Sequence, residues 1–184
     1  MPPTLVIVSG PPGSGKTTLA HLIARALPCP AICRDEIKEG MVHARGGAFT
    51  AETQDALTMR TFPLFFEVLR VLVVAGVTVV AEAAFQDARW RSGLEPLGGL
   101  AQLRIVHCTV SDAVTRERIT RRMASEPERA AHADAKYLAA APSTPFQRIS
   151  IAAPAIVVDT TEGYVPSLAE IVTFINSQEA GPRR

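Results

Sequence analysis

Hydrophobic positions along the chain alternate between two patterns. Compact apolar runs, rich in β-branched residues, occupy residues 4–8, 30–33, 77–81, 103–108 and 155–158. Near-continuous apolarity, without strict in-out alternation, predicts strands covered on both faces. Between these runs, apolar residues recur at helical spacing over 16–27, 52–75, 86–97 and 111–123, and again over 166–177. Leu19, Leu22, Ile23, Ala26 and Leu27 mark one such stripe. Strand alternating with helix predicts an α/β fold, a parallel sheet flanked by helices. In such a fold the crossovers are right-handed and ligands gather at the carboxyl ends of the strands. Two stretches break the rhythm. Residues 39–50, with Gly40, Gly46 and Gly47, read as a polar, flexible loop, and residues 124–149 show weak periodicity. Each is either a lid or substrate loop or a plain connection.

Composition narrows the class. The 184 residues carry 47% hydrophobic and 20% charged side chains, as a globular chain does. The expectation is a single domain over 1–178 and a frayed tail over 179–184. A net charge of +1 gives no overall case for nucleic acid or an anionic membrane, although a local basic patch stays open. Cys29, Cys33 and Cys108 are too few and odd in number for a disulfide framework, and no second Cys/His pair completes a zinc site. Buried thiols in a reducing cytoplasm fit better. The N-terminus lacks the basic region of a signal peptide. The most apolar run, 64–76, contains Glu67 and Arg70 and is too short to span a bilayer.

The chemistry starts at Gly10-Pro11-Pro12-Gly13-Ser14-Gly15-Lys16-Thr17, followed by Thr18. It fits G-x-x-x-x-G-K-[ST], with a strand ahead and a helix behind, the context of a phosphate-binding loop. Gly13 and Gly15 let successive N–H groups turn inward toward phosphate oxygens, and the helix start adds its positive dipole end. Lys16 reaches β- and γ-phosphates, and the Thr17 hydroxyl suits Mg²⁺. A nucleoside triphosphate is the expected ligand.

Beyond this loop the signals weaken. Asp35, at the end of the second strand and the start of a short helix, is placed to orient or deprotonate an attacking hydroxyl and to touch Mg²⁺. Helix capping explains it as well. Lys38, one turn on, either binds an anionic group or is solvated. Glu82 is the carboxylate ending a very apolar strand, where a charge needs a site or a partner. It suits Mg²⁺ through water, or a substrate hydroxyl. Arg116, Arg118, Arg121 and Arg122 follow the fourth strand, with Ser111 as a cap. They read as a lid helix clamping phosphates, Arg118 and Arg122 foremost, or as a solvated face with Glu117 paired to Arg121. His43 and Arg45 touch substrate or are solvated. His107 reads as a hydrogen-bonded core or edge histidine, His21 as distant from the site, and Trp90 as packing rather than base stacking.

Together these segments resemble the small phosphate-loop kinases of the AAA-33 / zeta-toxin-like group, which includes polynucleotide 5′-kinase domains and chloramphenicol phosphotransferase. The resemblance is carried by residues 10–18, by Arg34-Asp35-Glu36-Ile37-Lys38, by Glu82-Ala83-Ala84-Phe85 with Arg89-Trp90, by the Arg-rich helix and by Val157-Val158-Asp159-Thr160-Thr161. It implies a P-loop NTPase fold with five parallel strands in order 2-3-1-4-5 and an arginine-containing lid. It implies Asp35 as catalytic base or acceptor-orienting carboxylate, with Lys16 and Arg118 or Arg122 stabilising the transferring phosphoryl group. The sequence departs from the group at Glu82, where Asp is commoner, and at Lys38, where Arg is often found. The expected activity is ATP-dependent phosphorylation of a hydroxyl on a small molecule, with Mg²⁺. GTP stays open, because base contacts come from loops near Arg122 and Thr160. The alternatives are a polynucleotide 5′-hydroxyl kinase, which would require a basic channel, and a nucleotide-dependent regulatory ATPase. Acceptor identity and oligomeric state are not encoded in any of these motifs.

Overall fold

The computed structural model describes residues 2–46, 56–125, 132, 134–139 and 146–177. The tail 179–184, the start of the helix expected from residue 52 and much of 124–149 lie outside them. Five strands, β1 (Thr4–Ser9), β2 (Ala31–Cys33), β3 (Val79–Glu82), β4 (Gln102–Thr109) and β5 (Ala155–Asp159), form one sheet. Its order is β2-β3-β1-β4-β5, all neighbours parallel, as the resemblance implied. Seven helices lie among the described residues: α1 (Lys16–Ala26), α2 (Arg34–Arg45), α3 (Ala56–Val74), α4 (Asp87–Gly98), α5 (Asp112–Ser125), α6 (Asp134–Ala139) and α7 (Leu168–Asn176).

Both sheet faces are covered, which explains why the strands read as continuous apolar runs. Alternate residues of β1 serve opposite cores, because successive side chains of a strand point to opposite faces. Leu5 and Ile7 join Phe65 and Leu69 of α3 and Leu94 of α4. Val6 and Val8 join Leu19 and Ile23 of α1 and Ile171 of α7. All ten are fully buried, each contributing about 1.5–3 kcal/mol over exposure. Ser167 and Glu170 cap α7 reciprocally, each side chain bonding the other's backbone N–H.

Strand boundaries move by one or two residues from the sequence reading. Pro30 offers no N–H, so β2 starts at Ala31, and the Pro30 carbonyl accepts from Val80 N–H at 3.0 Å. The Thr78 hydroxyl caps the Thr4 N–H at 3.1 Å instead of joining the ladder, so β3 starts at Val79.

The larger correction concerns residues 39–50. No loop begins at Glu39; α2 continues to Arg45 through Gly40. A glycine inside a helix costs about 1 kcal/mol, but tertiary packing outweighs it. Ile37 packs on the core and Lys38 is buried at 3% exposure. The helix stops at Gly46, whose φ of 63° a side chain would resist. The second irregular stretch also holds order, since α6 forms within it. Gly93 of α4 lets α3 come close; a Cβ there would lie 2.3 Å from the Phe66 ring.

Candidate active site

Sheet register brings the chemistry together. Val8 of β1 is paired with Glu82 of β3, and Glu82 with Cys33 of β2. Three adjacent strands therefore end abreast. The phosphate loop leaves β1, Glu82 ends β3, and Asp35 opens α2 two residues beyond Cys33.

The loop is held in a binding shape by its own sequence. Gly13 and Gly15 have φ of 75° and 72°, the left-handed region that glycine enters without strain. Gly10 is needed for space: a Cβ would lie 2.6 Å from Ser14 Oγ and 2.8 Å from the Cys108 carbonyl oxygen. Gly15 caps α1 with no side-chain hydrogen bond, leaving first-turn N–H groups for a ligand. Ser14 Oγ is buried with no hydrogen-bond partner among the described residues, as expected beside an anion site. Pro11 and Pro12 stiffen the entry, and the Pro11 carbonyl accepts from Ser14 N–H at 3.3 Å.

Lys16 Nζ lies 3.6 Å from Glu82 Oε1, and Thr17 donates to Glu82 Oε2 at 3.1 Å. Glu82 is 1% exposed, and burial pushes its carboxyl upward against the opposing pull of Lys16. A divalent cation at this point would restore the charge that burial penalises. The Thr17 hydroxyl and the Glu82 carboxylate are hard oxygen donors that fit Mg²⁺.

Asp35 does not cap α2. The N-cap is Cys33, and Asp35 sits in the first turn, beside Arg34 and His132. Arg34 Nη1 donates to its Oδ1 at 2.9 Å, and His132 Nδ1 lies 3.8 Å from its Oδ2. Desolvation acts to raise the Asp35 carboxyl. His132, Lys16 and Arg34 overcome it and hold the group at about 2. His132 also lies 2.8 Å from Glu39 through Nε2, with its side chain 9% exposed. Sequence reasoning missed His132, because it falls among alanines in the stretch of weak periodicity, where no spacing marks it.

The other expected residues divide. Lys38, next along α2 from Asp35, is buried, so the solvated reading does not hold. Arg45 is exposed, ten residues beyond Asp35, about 15 Å along the helix axis. His43 lies beside it in the last turn. Arg118 gives its guanidinium to protein oxygens: Gly13 O at 3.4 Å, Thr160 Oγ1 at 3.2 Å, Thr160 O at 2.6 Å and Thr161 O at 3.3 Å. It thereby ties the phosphate loop to the end of β5. Thr160 completes the tie through Ser14 O at 2.8 Å. Arg118, Arg122, Thr18, Gly163 and Tyr164 line a cavity of about 390 Å³ beside Gly13 and Gly15. Arg121 also lines this cavity while pairing with Glu117 at 3.5 Å, and Arg116 reaches the Leu138 carbonyl at 3.5 Å, on the helix face.

His21, expected to lie away from the site, bonds Glu36 at 2.6 Å and comes within 3.7 Å of Cys33 Sγ, close behind Asp35. The Cys33 thiol is pushed far upward by burial and by Glu82 and Glu36, which removes it as a nucleophile. His107 is buried, but its Nδ1 has no partner among the described residues, against the expected hydrogen bond. Burial and Arg148 hold it at about 4, hence neutral. Trp90 packs as read, against Phe62, Phe65, Phe66 and Phe85. No helix among the described residues is long and apolar enough to cross a membrane.

Comparison with known proteins agrees with this architecture. A candidate kinase from Chloroflexus aurantiacus superposes with a TM-score of 0.83 at 22% identity, over 98% of this chain and 100% of that one. The Mycobacterium tuberculosis APS kinase CysC, in complex with AMPPNP and APS, gives 0.65 at 16% identity, over 95% and 98% of the two chains. Chaetomium thermophilum Kti12, in complex with ADP-AlF3, gives 0.66 at 16% identity, over 97% and 100%. At such identities the likeness is one of fold. No curated protein sequence is a significant match to the chain. The model of the AAA domain family AAA-33 matches residues 5–142, from β1 past α6 and including both Lys16 and Asp35. With the phosphate loop and the 2-3-1-4-5 sheet in place, the chain belongs to that family of P-loop proteins.

Proposed function

We propose that the protein is an ATP-dependent phosphotransferase that moves the γ-phosphoryl group to a hydroxyl of a small molecule. One observation carries the reading: Lys16, Thr17, Glu82 and an ionised Asp35 converge at the ends of three neighbouring strands. A simple nucleotide binder needs the first three. It has no need of a carboxylate held ionised beside them.

ATP with Mg²⁺, when bound, supplies the phosphoryl group and leaves as ADP, so that acceptor alcohol plus ATP gives acceptor phosphate, ADP and one proton. The chain's residues do the rest. The N–H groups of residues 13–18 and Lys16 cradle the phosphates, and Thr17 and Glu82 hold the cation. Asp35 accepts a hydrogen bond from the acceptor hydroxyl and orients it. A group held at about 2 is a weak base, so it takes the proton late, as the oxygen acidifies on bonding to phosphorus. Arg118 positions the loop, and Arg122 faces the nucleoside side.

The test is a transfer screen with ATP and Mg²⁺ against sugars, hydroxy acids, nucleosides, phenicol-type drugs and 5′-hydroxyl oligonucleotides. Mass spectrometry should find a phosphorylated small molecule. Transfer only to oligonucleotides would replace this reading with a polynucleotide kinase. Turnover with water alone would replace it with a regulatory ATPase.

A further inference from the structure

A second cavity, of about 590 Å³, opens on the same end of the sheet, between the start of α2, α3, the segment after β3 and α4. Its size is that of a small-molecule site. Arg34, the bonding partner of Asp35, stands at one side of it. Phe62 and Trp90 form an aromatic wall, with ring centroids 4.8 Å apart. That wall is braced from behind by Phe85, whose ring lies 4.9 Å from Trp90, and by Phe65 at 5.9 Å. Braced aromatic surface is pre-organised, so a planar apolar ring gains most from it.

Charge narrows the ligand further. Arg34 and Asp35 form a pair and nearly cancel. Arg91, one residue beyond Trp90, is paired with Asp87. Arg89 lines the cavity, is exposed and has no ion pair among the described residues. No carboxylate is among the described residues that line the cavity. The cavity thus combines an aromatic wall with one arginine that has no ion pair among the described residues, and Asp35 lies beyond Arg34.

We propose that this cavity is the acceptor subsite and that it takes a hydroxylated aromatic monoanion. The ring lies against Phe62 and Trp90, the anionic group meets Arg89, and the hydroxyl points to Asp35. This rests on the phosphotransferase reading. A sugar would leave the aromatic wall unmatched. A polynucleotide would bring several charges to the one lining arginine that has no ion pair among the described residues.

Trp90 is the sole tryptophan, so its emission reports the wall without any turnover. The nucleotide-free protein is titrated with 4-(2-hydroxyethyl)benzoate, with its neutral carboxamide and with glucose. The carboxylate should change Trp90 emission saturably and bind roughly five- to tenfold tighter than the amide. Glucose should leave the emission unmoved. Arg89→Gln should erase the carboxylate's advantage while leaving the amide's affinity intact. Added ATP and Mg²⁺ should then yield the phosphorylated carboxylate. Absence of saturable binding, an equal or tighter affinity for glucose, or a preference unchanged by Arg89→Gln would overturn the proposal. Arg89-dependent binding with no phosphate transfer would support the pocket and count against the phosphotransferase reading. Transfer to a polyol with Trp90 emission unmoved would do the reverse.

Discussion

Asp35 is held ionised by the cations around it, and this decides how it can act. Removing His132, the neighbour that lowers Asp35 most, should raise the Asp35 carboxyl above its value of about 2. Carbon-detected titration of the carboxyl in His132→Ala tests that; an unchanged value would exclude His132 from the site. The sign for stability follows from linkage. Asp35 has a folded pKa below its unfolded value of about 3.9, so its charge stabilises the fold above that value. The contribution is lost as pH falls toward about 2. The melting-temperature gap between wild type and Asp35→Asn should therefore narrow between about pH 5 and pH 2.5. Glu82 runs the other way. Burial raises its pKa, so it favours the fold when protonated, and that contribution is lost as pH rises through its folded value. Since Mg²⁺ takes the ionised carboxylate, Mg²⁺-nucleotide affinity should rise with pH through the Glu82 titration. Glu82→Gln should flatten the dependence in calorimetric titrations.

At the scale of elements, α5 and α4 act as fittings for the site. Arg118 of α5 joins the phosphate loop to β5 through four hydrogen bonds. Arg118→Met should lower stability by about 1–3 kcal/mol in chemical denaturation and weaken nucleotide binding together. An unchanged nucleotide affinity would mean that the tie does not shape the loop. Gly93 sets how closely α4 approaches α3. Gly93→Ala gains up to about 1 kcal/mol in helix propensity, but the Phe66 ring at 2.3 Å must move, at about 1–3 kcal/mol. A lower melting temperature with shifted Trp90 emission is expected. These fittings also mark where the sequence stopped being legible. The phosphate loop reads clearly because one backbone shape requires Gly13, Gly15 and Lys16 at fixed spacing. Strands read clearly because two covered faces leave apolar runs. The length of α2 does not, because Gly40 imitates a loop until Ile37 and Lys38 find partners in three dimensions. His132 and the Phe62–Trp90 wall arise from contacts between distant segments, which leave no local pattern.

For the whole molecule, the phosphate loop lies at the carboxyl edge of the sheet, with the cavity lined by Arg118 and Arg122 beside Gly13 and Gly15, and with Asp35 at the end of a neighbouring strand. Nucleotide binding to the folded state alone should raise stability by about 2.7 kcal/mol at a hundredfold excess over its dissociation constant. Lys16→Ala should abolish most of that shift without unfolding the chain. The most direct test of the central claim follows γ-labelled ATP in wild type and in Asp35→Asn, with the acceptor found by the screen. In wild type the label should appear on the acceptor. In Asp35→Asn transfer should fall by about 10²- to 10⁴-fold while ATP affinity stays within a few-fold. Label released as inorganic phosphate at a rate indifferent to both acceptor and Asp35 would contradict the account.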